Sequence, residues 1–125
     1  MINENFILHL VEEYINMVIK RDNSKVAFDG KKIIDAINKA FIDVDGQIYE
    51  NDTAADIAIE IGKKYINTDV DVETIQNEVE DYLMRSERKD VARSYIRYRY
   101  KKEVARKVQD DFIAPIKDKL EATNV

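Results

Sequence analysis

The sequence predicts a mostly α domain of the α+β kind: a small helical bundle capped by a β-hairpin or a short three-stranded sheet. Three observations carry that prediction. Apolar residues recur at spacings of three and four through most of the 125 residues, the signature of helices that bury one face. One interval, Met17 to Phe28, instead holds two short β-prone runs around a polar turn. Hydrophobic residues make up 45% of the chain and charged residues 36%, which supplies one modest core and excludes a disordered acidic tail.

Taken in order, Ile7, Leu10, Val11, Tyr14 and Ile15 form the stripe of a leading helix from about Asn5 to Asn16, with Glu12 and Glu13 outside and His9 as a partly packed residue. Met17-Val18-Ile19-Lys20 and Lys25-Val26-Ala27-Phe28 flank Arg21-Asp22-Asn23-Ser24, whose residues favour turns and tolerate positive φ, so the segment reads as a hairpin. Asp29 is the expected N-cap of a second helix, whose core face is Ile33, Ile34, Ile37, Ala40 and Phe41. After a polar connector containing Gly46, Thr53 and Asp56 stand at capping-box spacing ahead of Ile57, Ile61 and Tyr65. A break at Asn67 to Val70 leaves room for a short strand. Asp71 then caps a fourth helix with Ile75, Val79, Tyr82 and Leu83 inside. A last, long helix starts near Arg88 with Val91, Tyr95, Tyr98, Ala105, Val108 and Phe112 on its apolar stripe. Pro115 is expected to interrupt the C-terminal segment, leaving Ile116 to Val125 as a polar tail.

Composition narrows the chemistry. The chain has no cysteine, so disulfides, Cys-based zinc sites and thiol nucleophiles are excluded. One His and three Gly argue against His-centred catalysis and against a Gly-rich phosphate loop. Asp69 with Asp71, and Glu78 with Asp81, do not have the spacing of a calcium loop and read as solvated faces and caps. No segment has the length and apolarity of a membrane span, and no basic region precedes an apolar signal core, so a cytoplasmic setting is expected. These readings favour a non-catalytic domain, with neither a catalytic residue nor a metal ligand assigned.

Charge is unevenly spread. Asp43 to Asp81 holds twelve acidic residues against Lys63 and Lys64, while Arg85 to Lys107 holds ten of the chain's 20 cations. A basic block attracts phosphates, and it could equally neutralise the acidic middle. Arg93, Arg97 and Lys101 share one helical face. The interleaved Tyr95, Tyr98 and Tyr100 suit base stacking, but Tyr95 and Tyr98 lie on the apolar stripe and the net charge is −5, so nucleic acid is not the expected partner. At the other end, Lys20 and Arg21 sit at the hairpin turn, and Lys31 and Lys32 at the start of a helix. Unpaired backbone N–H groups and the helix dipole there also favour anions. Together these form a candidate phosphate cradle, with a hairpin of solvated lysines as the alternative.

Read together, the run from Val18 to Asp29, then Lys32-Ile33, then Val72 to Glu80, then Val91-Ala-Arg-Ser-Tyr-Ile-Arg-Tyr-Arg-Tyr100 resemble the ATP-cone family. Its opening V-x-K-R-D-G motif is kept except for Asn23 in place of glycine, and Asn is the next best residue for a left-handed turn. The resemblance covers about Val18 to Lys107. It is strongest toward the N-terminal cone of anaerobic ribonucleoside-triphosphate reductases, whose link to the catalytic barrel Leu120 to Asn124 resembles. It implies a nucleotide-binding cone over 18–110 and a linker over 111–125, while the leading helix read over 1–17 is longer than the family's short lead.

The resemblance further implies an allosteric sensor that binds ATP or dATP, with Mg²⁺ on the triphosphate, and controls the parent reductase through homo-oligomer association. By position, Lys20 and Arg21 would meet the triphosphate, Val18 and Ile33 the adenine, Lys32 phosphate or ribose, and Lys101 a further phosphate. Gln76 falls where some relatives place a polar nucleotide ligand, and Val26 where another branch has Glu. A cone serving a transcriptional regulator and a helical protein-interaction module are the alternatives.

Overall fold

A computed structural model describes residues 3–8, 17–50 and 52–123. The chain divides into two compact units, Met1–Tyr95 and Ile96–Val125.

In the first unit, residues 4–8 are helical and Leu8 is buried. The rest of the predicted leading helix, with His9, Glu12 and Glu13, lies outside the described residues. Strands β1 (Val18–Ile19) and β2 (Lys25–Val26) form the expected antiparallel hairpin, with Val18 opposite Val26. The strands are shorter than predicted because the chain leaves the sheet to bury Phe28 and to place Asp29 as a helix cap. Asn23 carries the turn at φ 68°, a left-handed conformation that Asn tolerates better than other non-glycine residues. Asp22 fixes the turn by accepting from both the backbone N–H and the hydroxyl of Ser24 at 3.0 and 2.6 Å. Those two bonds hold its carboxyl below the usual range, the hydroxyl contributing most.

Helix α1 (Gly30–Asp45) begins where Asp29 accepts from the N–H of Lys31 at 3.0 Å and ends at Gly46, whose φ of 80° suits a residue without Cβ. Helix α2 (Asp52–Lys64) packs against it. Thr53 lies inside the first turn of α2, its hydroxyl donating to Glu50 at 2.9 Å. The expected Thr53–Asp56 capping box is therefore not formed. Strand β3 (Val70–Asp71) joins β1 in parallel, giving the order β2-β1-β3. Asp71 then caps α3 (Val72–Arg85) by accepting from the N–H of Thr74 at 2.7 Å.

The core of this unit gathers Phe41, Ile37, Ile61, Leu83, Val79 and Val91, with Val18, Phe28, Ile33 and Val70 at its sheet end. Each such side chain contributes about 1.5–3 kcal/mol by leaving water. Helix α4 (Lys89–Val108) starts in this unit, where Val91, Ala92, Ser94 and Tyr95 are buried.

In the second unit the buried stripe does not continue. Tyr98, Val108 and Phe112, expected on an apolar core face, are exposed. Residues Gln109–Ile113 form a π-helical turn and α5 (Ala114–Thr123) follows. Pro115 therefore does not interrupt the segment. It follows directly on the π-helical turn, whose wider backbone accommodates its ring within a continuous helical run.

Candidate functional site

The hairpin turn meets the N-terminal part of α3, where Arg21 contacts Glu73 and Gln76. The parallel register explains how. Ile19 pairs with Asp71, so two residues further along each chain Arg21 lies beside Glu73. The Arg21 Nε to Glu73 Oε1 distance is 2.8 Å, and Nη2 of Arg21 donates to Oε1 of Gln76 at 3.0 Å. Arg21 and Gln76 are thus in direct contact. Lys20 precedes Arg21 and is exposed. Lys32 is exposed on the first turn of α1, and neither lysine makes an ion pair within 4 Å among the described residues.

The neighbouring cations are already engaged. Lys31 binds Asp35 one turn on at 2.9 Å, which holds its ammonium above the usual range, and Lys25 binds Asp69 at 3.0 Å. The backbone at the start of α1 is engaged as well: Asp29 takes the N–H of Lys31 with its carboxylate and that of Lys32 with its carbonyl. The helix end therefore offers an anion its lysine side chains, with those two amides already bonded. Val18 and Ile33 are 7% and 8% exposed, so they belong to the core beneath this surface and present only a narrow apolar edge. Val26 is exposed on the edge strand. Lys101 is exposed in the second unit.

Sequence reasoning missed Glu73. Its signal was present: an acidic residue in the first helical turn, three residues before Gln76 and so on the same face. The parallel pairing of β1 with β3, which local patterns do not specify, was needed to bring that face to Arg21.

Arg88, counted in the basic block, has a different role. Its Nη2 and Nη1 meet both oxygens of Asp45 at 2.7 and 3.0 Å, and its Nε meets Asp90 at 3.1 Å. Glu50 lies 3.6 Å away, and the guanidinium sits over the Phe41 ring at 5.6 Å. The Asp45 and Asp90 bonds drive its pKa further upward, and Arg88 in turn holds the Asp90 carboxyl below its usual range. Nearby, the buried Ser94 donates to Asp43 at 2.8 Å. This cation ties the acidic end of α1 to the start of α4 and is fully committed.

Among the described residues, no group of three or more His, Cys, Asp or Glu side chains is arranged to hold a metal ion. No helix there is long and apolar enough to cross a membrane.

Comparison with known proteins gives one family match, the ATP cone domain, over residues 16–104. The anaerobic ribonucleoside-triphosphate reductase of Haemophilus influenzae is 34% identical over 110 residues, covering 86% of this chain and 15% of that protein. Its Escherichia coli counterpart is 33% identical over 108 residues, with the same coverage of 86% and 15%. The vitamin B12-dependent ribonucleoside-diphosphate reductase of Thermoplasma acidophilum is 36% identical over 115 residues, covering 87% of this chain and 14% of that protein. The chain thus spans about 15% of the length of the curated relatives it matches.

Proposed function

The chain belongs to the ATP-cone family, and from that premise we propose that it binds ATP and dATP at the hairpin end and regulates an anaerobic ribonucleoside-triphosphate reductase. The observation that carries this reading is the pair of exposed lysines, Lys20 and Lys32, which have no ion-pair partner among the described residues. Salt-bridge partners satisfy Lys25 and Lys31 nearby in sequence, and Arg88 at the far end of α1. A triphosphate supplies the missing negative charge, and the apolar edge gives an adenine ring a surface to cover.

In this reading Lys20 and Arg21 hold the phosphates, Lys32 approaches phosphate or ribose, and Gln76 orients Arg21 through its amide oxygen. The magnesium ion arrives on the triphosphate, because the donor set here is cationic and suits phosphate oxygens rather than a bare cation. Residues 111–125 lead toward the remainder of the reductase.

The anaerobic assignment is supported by two relatives of that name, whereas a B12-dependent relative places a similar segment in another reductase. ATP and dATP differ by one 2′-hydroxyl, worth about 1 kcal/mol for a neutral hydrogen bond. Regulation then requires that the two nucleotides favour different homo-oligomeric assemblies, since only a difference in affinity between states moves an equilibrium. Calorimetric titration of the chain with ATP, dATP and GTP tests the binding step. Saturable binding of both adenine nucleotides with weaker GTP binding is expected, and absence of adenine-nucleotide binding overturns the reading.

A further inference from the structure

We propose that Glu73 acts as a built-in competitor for the phosphate-binding cation Arg21, setting the affinity of the hairpin site for its anionic ligand. The proposal rests on the nucleotide reading above and extends it to a residue that lowers affinity.

Glu73 reaches Nε of Arg21 at 2.8 Å, and Gln76 accepts from Nη2 at 3.0 Å. Both acceptors come from α3, three residues apart, and the β1–β3 register holds them beside the turn. The two acceptors differ in one respect. Gln76 orients the guanidinium without changing its charge, whereas Glu73 cancels it. A triphosphate approaching Arg21 must displace the Glu73 carboxylate from Nε or bind with that carboxylate as a close negative neighbour. Coulomb repulsion opposes binding in both cases.

The contact contributes little to stability. The side chains of Arg21 and Glu73 are 36% and 47% exposed, and exposed pairs of this kind add little to folding. Exposure leaves the carboxylate able to yield to a stronger anion. A more highly charged phosphate chain gains more from displacing it than a weakly charged ligand does, so Glu73 selects by charge as well as lowering affinity.

Substituting Glu73→Gln keeps an amide oxygen where the carboxylate oxygen stood and removes only the charge. Titration calorimetry of wild type, E73Q and the remote control E60Q with ATP, and separately with inorganic tripolyphosphate, separates the outcomes. E73Q is expected to bind both ligands about three- to tenfold more tightly at low salt, with the gain shrinking as salt rises. E60Q, on the outer face of α2 beside Lys63, is expected to match wild type. Thermal melting on the same samples is expected to place E73Q close to wild type.

ATP binding by wild type with E73Q equal or weaker overturns this inference and leaves the nucleotide reading standing. An equal gain in E60Q overturns it too, since net charge would then suffice as the cause. No ATP binding by either wild type or E73Q overturns the nucleotide reading and this inference with it.

Discussion

The two ends of α1 carry opposite charges and resolve them in opposite ways. At its C-terminal end, Asp43 and Asp45 stand where the helix dipole is already negative, and the chain itself answers them: Ser94 donates to one and Arg88 grips the other. At its N-terminal end, Lys31 and Lys32 stand where the dipole is positive. Asp29 caps the backbone and Asp35 takes Lys31, yet Lys32 and the hairpin residue Lys20 have no ion-pair partner among the described residues. A charge answered inside the fold is structural, and one left open to solvent is available to a ligand. The identity of the residue does not decide which; its neighbours do.

That contrast breaks most visibly at the structural end. Phe41 is fully buried, with Arg88 over its ring, so Phe41→Ala should cost about 3–5 kcal/mol, read by urea unfolding. Arg88→Met should lower the melting temperature because Asp45, largely shielded from water, loses its bidentate partner. Its affinity for ATP should stay at the wild-type value, which calorimetry checks. A fall in affinity without a fall in stability would reverse the roles assigned to the two ends.

The cap of α3 predicts a smaller effect with a definite pH dependence. The N–H and hydroxyl of Thr74, in that order, hold the Asp71 carboxyl below its ordinary range. Its stabilising contribution is therefore complete above the unfolded pKa and fades as pH falls through the lower folded value. Asp71→Ala should cost about 1 kcal/mol near neutrality, and the difference from wild type should shrink below about pH 4, where the unfolded carboxyl protonates. Smallest is the hairpin turn. Asn23→Ala should cost about 1 kcal/mol at its positive φ, and Asn23→Gly should change stability by less than about 0.5 kcal/mol. Denaturation of the paired variants distinguishes a backbone requirement from a side-chain one.

The parts of this fold that depend on neighbours in sequence are legible in the sequence alone. Asp29 and Asp71 as caps, Asn23 as the turn residue, and the buried faces of α1 and α3 follow from side-chain chemistry acting over three or four residues. The misreadings share a cause. Thr53 has the composition of a cap, but α2 starts a residue earlier. Tyr98 has the spacing of a core residue, but the burial of α4 stops at Tyr95, and periodicity does not reveal where packing partners end. Pro115 signals a break, yet a π-helical turn carries the chain past it. The candidate site was legible as a set of cations. Which were already taken was not, because the Arg21–Glu73 and Arg88–Asp45 pairs join segments 52 and 43 positions apart, brought together only by the sheet register and the helix packing.

In the proposed reading Lys20 and Lys32, and not the committed Arg88, hold an adenine nucleotide. Calorimetric titration of ATP into wild type, Lys20→Ala, Lys32→Ala and Arg88→Met tests it most directly. Each lysine variant should lose about tenfold or more in affinity while melting near wild type, a loss of roughly 1.4 kcal/mol or more in binding free energy, whereas Arg88→Met should melt lower and bind normally. Undiminished binding in both lysine variants would contradict the claim.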